Sequence, residues 1–106
     1  MSKQTTQKLY LNCLDIFSAL GDPLRQQILL QLSVREGKNV NDITREMAIS
    51  RPAVSHHLKI LLQAGLVTSE GNGRQNLYRL SPHDSLAKIE QLITAIKQTL
   101  EEDSKR

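Results

Sequence analysis

The chain has 106 residues, of which 39% are hydrophobic and 24% charged, with one cysteine and a formal net charge of +3. That length suits one domain with a modest core, and pairing with a second copy would cover apolar surface that a single copy leaves wet. The lone cysteine excludes an internal disulfide framework or an all-cysteine metal cage, and no apolar run approaches the roughly 18 residues of a membrane span.

The leading MSKQTTQKLY lacks the apolar core of a secretory signal, so a cytoplasmic location is expected. From about Thr5 to Leu20, Leu9, Cys13, Phe17 and Leu20 recur at helical spacing, Leu14 widens the stripe, and Gly21 is a candidate left-handed stop. Asp22-Pro23 reads as an N-cap followed by proline at the first helical position, opening a second helix whose core stripe is Leu24, Ile28, Leu29 and Leu32. Glu36-Gly37-Lys38-Asn39 is turn-like. A short helix follows from Val40 to Ala48, with Ile43 and Met47 on its buried face and Asn41, or in competition Asp42, as its cap.

Ser50 then caps a longer helix with Pro52 in its first turn. Val54, Leu58, Leu61 and Leu62 form its single apolar face, and Ala64-Gly65-Leu66 its stop. Residues 66–70 and 76–80 flank Gly71-Asn72-Gly73-Arg74-Gln75 as two strands and a turn, with Leu66, Thr68, Tyr78 and Leu80 at period-two positions. After Ser81-Pro82, Leu86, Ile89, Ile93, Ile96 and Leu100 are spaced 3, 4, 3, 4, the a/d seam of two packed helices. The expected organisation is one domain over 1–106, mainly α with a small β-hairpin. Within it, 41–65 are two helices joined by a tight turn, 66–80 the hairpin, and 5–20 and 84–101 the helices of a dimer interface. Leu9, Cys13, Phe17, Leu86, Ile89, Ile93, Ile96 and Leu100 are the candidate interface residues.

The charge is concentrated in the middle. Arg45, Arg51, Lys59, Arg74 and Arg79 face Glu46 and Glu70 over residues 45–79, a net of +3, whereas residues 81–106 carry a net of −1. Such a distribution suits a polyanion facing the centre of the chain. A short helix, a tight turn at Ala48-Ile49-Ser50 and a longer helix with polar residues at its start is the helix-turn-helix layout, whose second helix can lie in the major groove. Arg51 can pair with guanine, Ser55 and His56 can donate or accept, and Lys59 is placed for a phosphate. Adjacent helical residues diverge by about 100°, so His56 and His57 cannot chelate together; one is expected to face DNA and the other to pack toward the wing or the preceding helix. The glycine-tipped hairpin directly after the second helix is the wing of a winged helix-turn-helix, with Arg74 placed for phosphates or a narrow minor groove. The candidate DNA contacts are Ser50, Arg51, Pro52, Ala53, Ser55, His56, His57 and Lys59, with Asn72, Arg74 and Gln75 at the hairpin tip.

Residues 19–80 closely resemble the ArsR/SmtB family of dimeric winged-helix repressors. The likeness rests on Ala19-Leu20-Gly21-Asp22-Pro23-Leu24-Arg25 with Ile28-Leu29, on Val54-Ser55-His56-His57-Leu58-Lys59-Ile60-Leu61, on Ala64-Gly65-Leu66-Val67, and on Gly73-Arg74-Gln75-Asn76-Leu77-Tyr78-Arg79-Leu80. The resemblance implies a helical dimer built from the first and last helices, DNA read by residues 50–59, and a repressor released from its operator by an effector.

Many members of that family sense metals through a Cys-x-Cys pair; the matching positions here are Asn39 and Asn41, whose amides are poor ligands for soft metals. A second family site uses Asp and His early in the last helix and His and Glu later; here His83, Asp84 and Glu90 occur with no histidine beyond 83, so no metal or other cofactor is expected. Cys13 falls on an apolar stripe, near Asp15 and without a flanking cation to activate its thiol. A phosphate-cradling glycine loop, a nucleophile elbow and H-E-x-x-H are all missing, so no enzyme is expected. The reading is a homodimeric, sequence-specific transcriptional regulator binding double-stranded operator DNA, with an unidentified effector. Two alternatives stand beside it: a metal or redox sensor acting through Cys13 or His83 and Asp84, and a dimeric interaction module that reads no DNA.

Overall fold

The computed structural model describes residues 3–35, 37–71 and 76–104, which form α1 (Lys3–Asn12), α2 (Leu14–Leu20), α3 (Pro23–Val34), α4 (Val40–Arg45), α5 (Arg51–Gln63), the strands β1 (Val67–Glu70) and β2 (Leu77–Leu80), and α6 (His83–Ser104). The first expected helix is two. At Cys13 the backbone takes a single tight turn, its amide donating to Tyr10 O at 2.9 Å instead of continuing the helical ladder. The break lets α1 lie along α6, where Thr6 and Thr99 share a hydroxyl–hydroxyl bond, while α2 sends Ile16 and Ala19 into the core. Gly21 does not take the left-handed stop expected of it; its φ is −77°.

Asp22 caps α3 as its sequence suggests, Oδ1 accepting the amides of Leu24 at 2.8 Å and Arg25 at 3.2 Å. The cap of α4 is neither Asn41 nor Asp42 but Asn39: its side chain accepts the Asp42 amide while the Asp42 carboxylate accepts the Asn39 amide, a reciprocal capping box. Ser50 Oγ accepts the Ala53 amide to start α5. Gly65, with φ of +72°, ends that helix: its amide donates to Leu62 O and the Leu66 amide to Leu61 O, the paired bonds of a Schellman stop.

Ile28 and Leu32 of α3, Ile43 of α4, and Val54, Leu58 and Leu61 of α5 are buried together with Ile16, Ala19, Ala64, Leu66 and Val67 in one core. The hairpin is antiparallel with Val67 opposite Leu80 and Glu70 opposite Leu77. Its first strand is in the opposite phase to the one expected: Val67 is buried and Thr68 exposed, because Leu66 and Val67 leave the Schellman turn facing the core in succession. Lys38 adds a one-residue third strand, exchanging both backbone bonds with Tyr78. α6 is joined to the end of α5 by Ser85, whose hydroxyl donates to Ala64 O and Gly65 O.

The molecule measures 57 × 26 × 21 Å with a radius of gyration of 17.0 Å, against about 13 Å for a compact chain of this length. α1 and the 22-residue α6 extend beyond the core and account for that length. Among the described residues, no helix is long and apolar enough to cross a membrane.

Candidate nucleic-acid interface

The two sides of α5 are sharply different. Val54, Leu58 and Leu61 are fully buried, while Ser50, Arg51, Pro52, Ser55, His56 and Lys59 are exposed and Ala53 is half-buried. The capping bond of Ser50 and the ring of Pro52 fix the first turn, so Arg51, Ser55 and His56 project from backbone that is already ordered. Short side chains on that surface leave room for a groove floor to approach, and the exposed cations Arg51 and Lys59 complement phosphate and base-edge acceptors. The hairpin-tip candidates Asn72, Arg74 and Gln75 lie outside the described residues.

His57, expected among the DNA contacts, turns the other way. It is half-buried, with Nδ1 3.2 Å from Arg25 Nη1. The same guanidinium donates from Nε to Ala19 O at 2.9 Å and from Nη2 to Ser18 O at 3.0 Å. Gln26 adds a bond from Nε2 to Leu20 O. Arg25 and Gln26 thereby supply donors to the Ala19 and Leu20 carbonyls at the end of α2, and Arg25 adds a second donor to Ser18 O, which already accepts the Gly21 amide; this is how α2 stops without a left-handed glycine. Asp22 stands 3.8 Å from Arg25 Nη1. Its carboxyl is held below the ordinary carboxylate range, chiefly by the Arg25 amide it accepts; burial opposes this, and the Leu24 amide and the charges of Arg25 and His57 add to it.

A second polar knot holds α4. The Lys38 side chain, 5% exposed as a residue, donates to Gln31 Oε1 at 2.8 Å and to Glu46 Oε2 at 2.7 Å. One lysine therefore ties α3 to the turn between α4 and α5, while its backbone is bonded to the hairpin at Tyr78. Neither Arg25 nor Lys38 was marked out by periodicity. Each links separate elements, Arg25 reaching His57 32 residues away and the Lys38 backbone pairing with Tyr78, and the only hint was an unusually polar residue beside an otherwise turn-like or capping segment.

The candidate interface helices present a separate apolar surface. Tyr10, Leu11, Leu14 and Phe17 of α1 and α2, and Leu86, Ile93, Ile96 and Leu100 of α6, are exposed, with Leu100 at 60%. Tyr10 and Phe17 stack at a tilt with ring centroids 6.0 Å apart. Three of the expected residues differ from the rest. Leu9 is half-buried against its own chain, Ile89 is half-buried on the core, and Cys13, at 0% exposure, is enclosed in its own chain, because the break at that residue rotates it inward. α6 meets its own chain through a different stripe, Ser85, Leu92 and Ala95.

The residues at the family's metal-ligand positions do not fit a metal centre. Asn39 is committed to the capping box, Asn41 is exposed with an amide side chain, and His83 and Asp84 are exposed in the first turn of α6, where Asp84 favourably faces the helix dipole. Among the described residues, no three histidine, cysteine, aspartate or glutamate side chains gather as a potential metal site.

Comparison with known proteins gives a consistent result. Residues 22–69 match the model of "Bacterial regulatory protein, arsR family". Over 70 residues the chain is 44% identical to the transcriptional repressor SmtB of Mycobacterium tuberculosis, covering 65% of this chain and 50% of that protein, so it spans about half the length of that relative. It is 37% identical over 81 residues to an arsenical resistance operon repressor of Staphylococcus xylosus, covering 76% of each. Among solved structures it is similar in fold to the homodimeric winged helix-turn-helix domain of Mb0332 from Mycobacterium bovis, with a TM-score of 0.67, 22% identity and coverage of 96% of this chain and 93% of that one.

Proposed function

We propose that this chain, a member of the arsR family of bacterial regulatory proteins, is a cytoplasmic homodimeric repressor. It inserts one α5 from each protomer into successive major grooves of an inverted-repeat operator. The observation that carries this reading is the outer face of α5, where Ser50, Arg51, Ser55, His56 and Lys59 are exposed on a helix whose opposite side is locked into the core. The apolar stripes on α1, α2 and α6 supply the dimer surface. Two-fold symmetry then sets the half-sites about one helical turn apart, roughly 34–36 Å, or a multiple of it. Arg51 and His56 read bases; Lys59 and the wing residues Asn72, Arg74 and Gln75 meet the backbone or minor groove.

Release from DNA requires an effector that binds the two states of the repressor differently. The residues present favour an effector other than a soft metal, since the amides of Asn39 and Asn41 stand where thiolates would be needed. The buried Cys13 gives a redox reading no accessible thiol.

The test is binding of the purified protein to the DNA upstream of its own gene, titrated across salt, with excess random competitor and with or without chelator. Competitor-resistant binding, indifferent to chelator and with a steep salt dependence, is the expected result. Binding that random competitor abolishes at every salt concentration would overturn the operator reading and favour a dimeric interaction module.

A further inference from the structure

Ser85 joins α6 to the end of α5; Arg25 joins α2 to the middle of α5, beside the DNA-facing residues, and what it does there goes beyond recognition of DNA as such. Its guanidinium spends two donors on the carboxyl end of α2 and points Nη1 at His57 of α5. α2 buries Ile16 and Ala19 in the core and carries Leu14 and Phe17 on the exposed apolar surface, so a partner packing on that surface would press on a helix that also packs against the core. α5 carries the DNA-facing residues. Beside the apolar packing of Ile16 and Ala19 in the core they share with α5, the polar link between the two helices is one guanidinium and one imidazole.

We infer that the Arg25–His57 pair is a positioning latch that fixes α5 relative to α2, and so sets the separation of the two reading helices in the dimer. Its effect is selection of operator half-site spacing rather than of base sequence. This inference rests on the DNA-reading dimer proposed above. The chemistry is directional. Arginine has five donors and no acceptor, so the bond exists only when His57 Nδ1 carries a lone pair and the ring proton sits on Nε2. A second proton on the ring would set two cations 3.2 Å apart, with the Asp22 carboxylate close enough to Arg25 and His57 to feel both charges. His56, whose ring centroid is 6.0 Å from that of His57, is the other titratable neighbour on the same helix. His57 thus acts through Arg25 and is a positioning residue, whereas His56 is a contact.

The test compares wild type with His57→Ala and His57→Asn on a set of operators whose half-sites are moved apart or together by one and two base pairs. Asparagine places an amide oxygen where Nδ1 stands and keeps an acceptor that cannot titrate. The expected result is that His57→Ala, still folded by circular dichroism and still dimeric, loses about tenfold on the natural spacing, the size of one hydrogen bond to a charged donor. It should lose much less on a shifted spacing, so that its preference among spacings flattens. His57→Asn should restore both affinity and spacing preference. Loss by the same factor on every spacing, or no rescue by asparagine, would overturn the latch and make His57 a DNA contact or a packing residue.

A DNA-free arm separates this from failure of the operator reading: ¹⁵N chemical shifts of the His57 ring in the free protein. An unprotonated Nδ1 with a protonated Nε2 supports the latch, and a proton on Nδ1 overturns it directly. If wild type binds no operator at all, the spacing role falls with the DNA reading, and the ring shifts alone report whether the latch exists.

Discussion

The two ends of this molecule are finished to different degrees. In the part built from α3, α4, α5 and the hairpin, most apolar side chains meet inside the chain: Ile28, Leu32, Ile43, Val54, Leu58 and Leu61 are all buried, with Leu30 and Val34 of α3 the exposed exceptions. In the part built from α1, α2 and α6, each helix uses one stripe within the chain and leaves a second outside, so that Tyr10, Leu11, Phe17, Ile93, Ile96 and Leu100 remain in water. The exposed and buried stripes of α6 are offset by one residue, Ile93 beside Leu92 and Ile96 beside Ala95. A helix apolar on two faces has two neighbours to satisfy, and in the proposed dimer the second comes from another copy of the chain. The lesson is that folding and assembly use different residues here, and single substitutions can separate them.

The largest effect should come from the finished part. Leu58→Ala empties a fully buried site and should cost about 2–5 kcal/mol of stability, read as a drop in the urea midpoint with unchanged slope; a loss below about 1 kcal/mol would mean that the core collapses around the gap. The contrasting change is Ile93→Asp. It should leave the monomer's stability within about 1 kcal/mol, because Ile93 is exposed in the chain. It should nonetheless give monomers in the ultracentrifuge with sharply weakened operator binding, since a buried unpaired charge is strongly unfavourable at an apolar interface. A variant that stays dimeric would place the dimer surface elsewhere.

Arg51→Ala tests the outer face of α5. It should cost about 1–3 kcal/mol of binding on the best operator and relax base preference at one position, with the fold untouched; equal weakening on all sequences would reduce Arg51 to a phosphate contact. Gly65→Ala tests the joint between the two parts. With φ of +72° and the Ser85 hydroxyl 3.3 Å from the position of an added Cβ, it should cost roughly 1–2 kcal/mol by thermal unfolding. The smallest effect concerns pH. The Asp22 carboxyl is lowered in the fold, so the unfolded chain takes up its proton first as pH falls. Its stabilisation is then complete above the ordinary value near 3.8 and fades as pH drops through the lower folded value. Asp22→Asn should flatten this acid limb of the stability curve while leaving stability at pH 7 nearly as before, because asparagine also caps.

Much of the fold was legible because the chain marks it locally. Asp22-Pro23, Ser50 with Pro52, and Ala64-Gly65-Leu66 each name a helix end with the residue types that end demands, and the family resemblance spans all three. The break at Cys13 was not legible, since Leu9, Cys13 and Phe17 keep perfect helical spacing across it; only the competition between α6 and the core for the two halves explains it. The cap at Asn39 was missed because Asn41 and Asp42 offer the same chemistry two and three residues later. In α6, the heptad positions were easy to see, but the small residues Ser85 and Ala95 beside Leu92 carry the weaker pattern and do the packing inside the chain. Within the candidate site, the outward residues of α5 follow from helical geometry, whereas the inward turn of His57 depends on Arg25, 32 residues away.

Ser85 has one further consequence. Its two bonds to Ala64 O and Gly65 O sit at the root of α6, a helix of 22 residues that runs about 29 Å beyond Ser85. α6 is therefore a long lever with its fulcrum against the end of α5, and a tilt of about 5° at Ser85 sweeps the far end through roughly 2.5 Å. The gearing also works in reverse: in the proposed dimer, a small displacement between two copies of α6 would arrive at the end of α5 much reduced in distance and correspondingly multiplied in force.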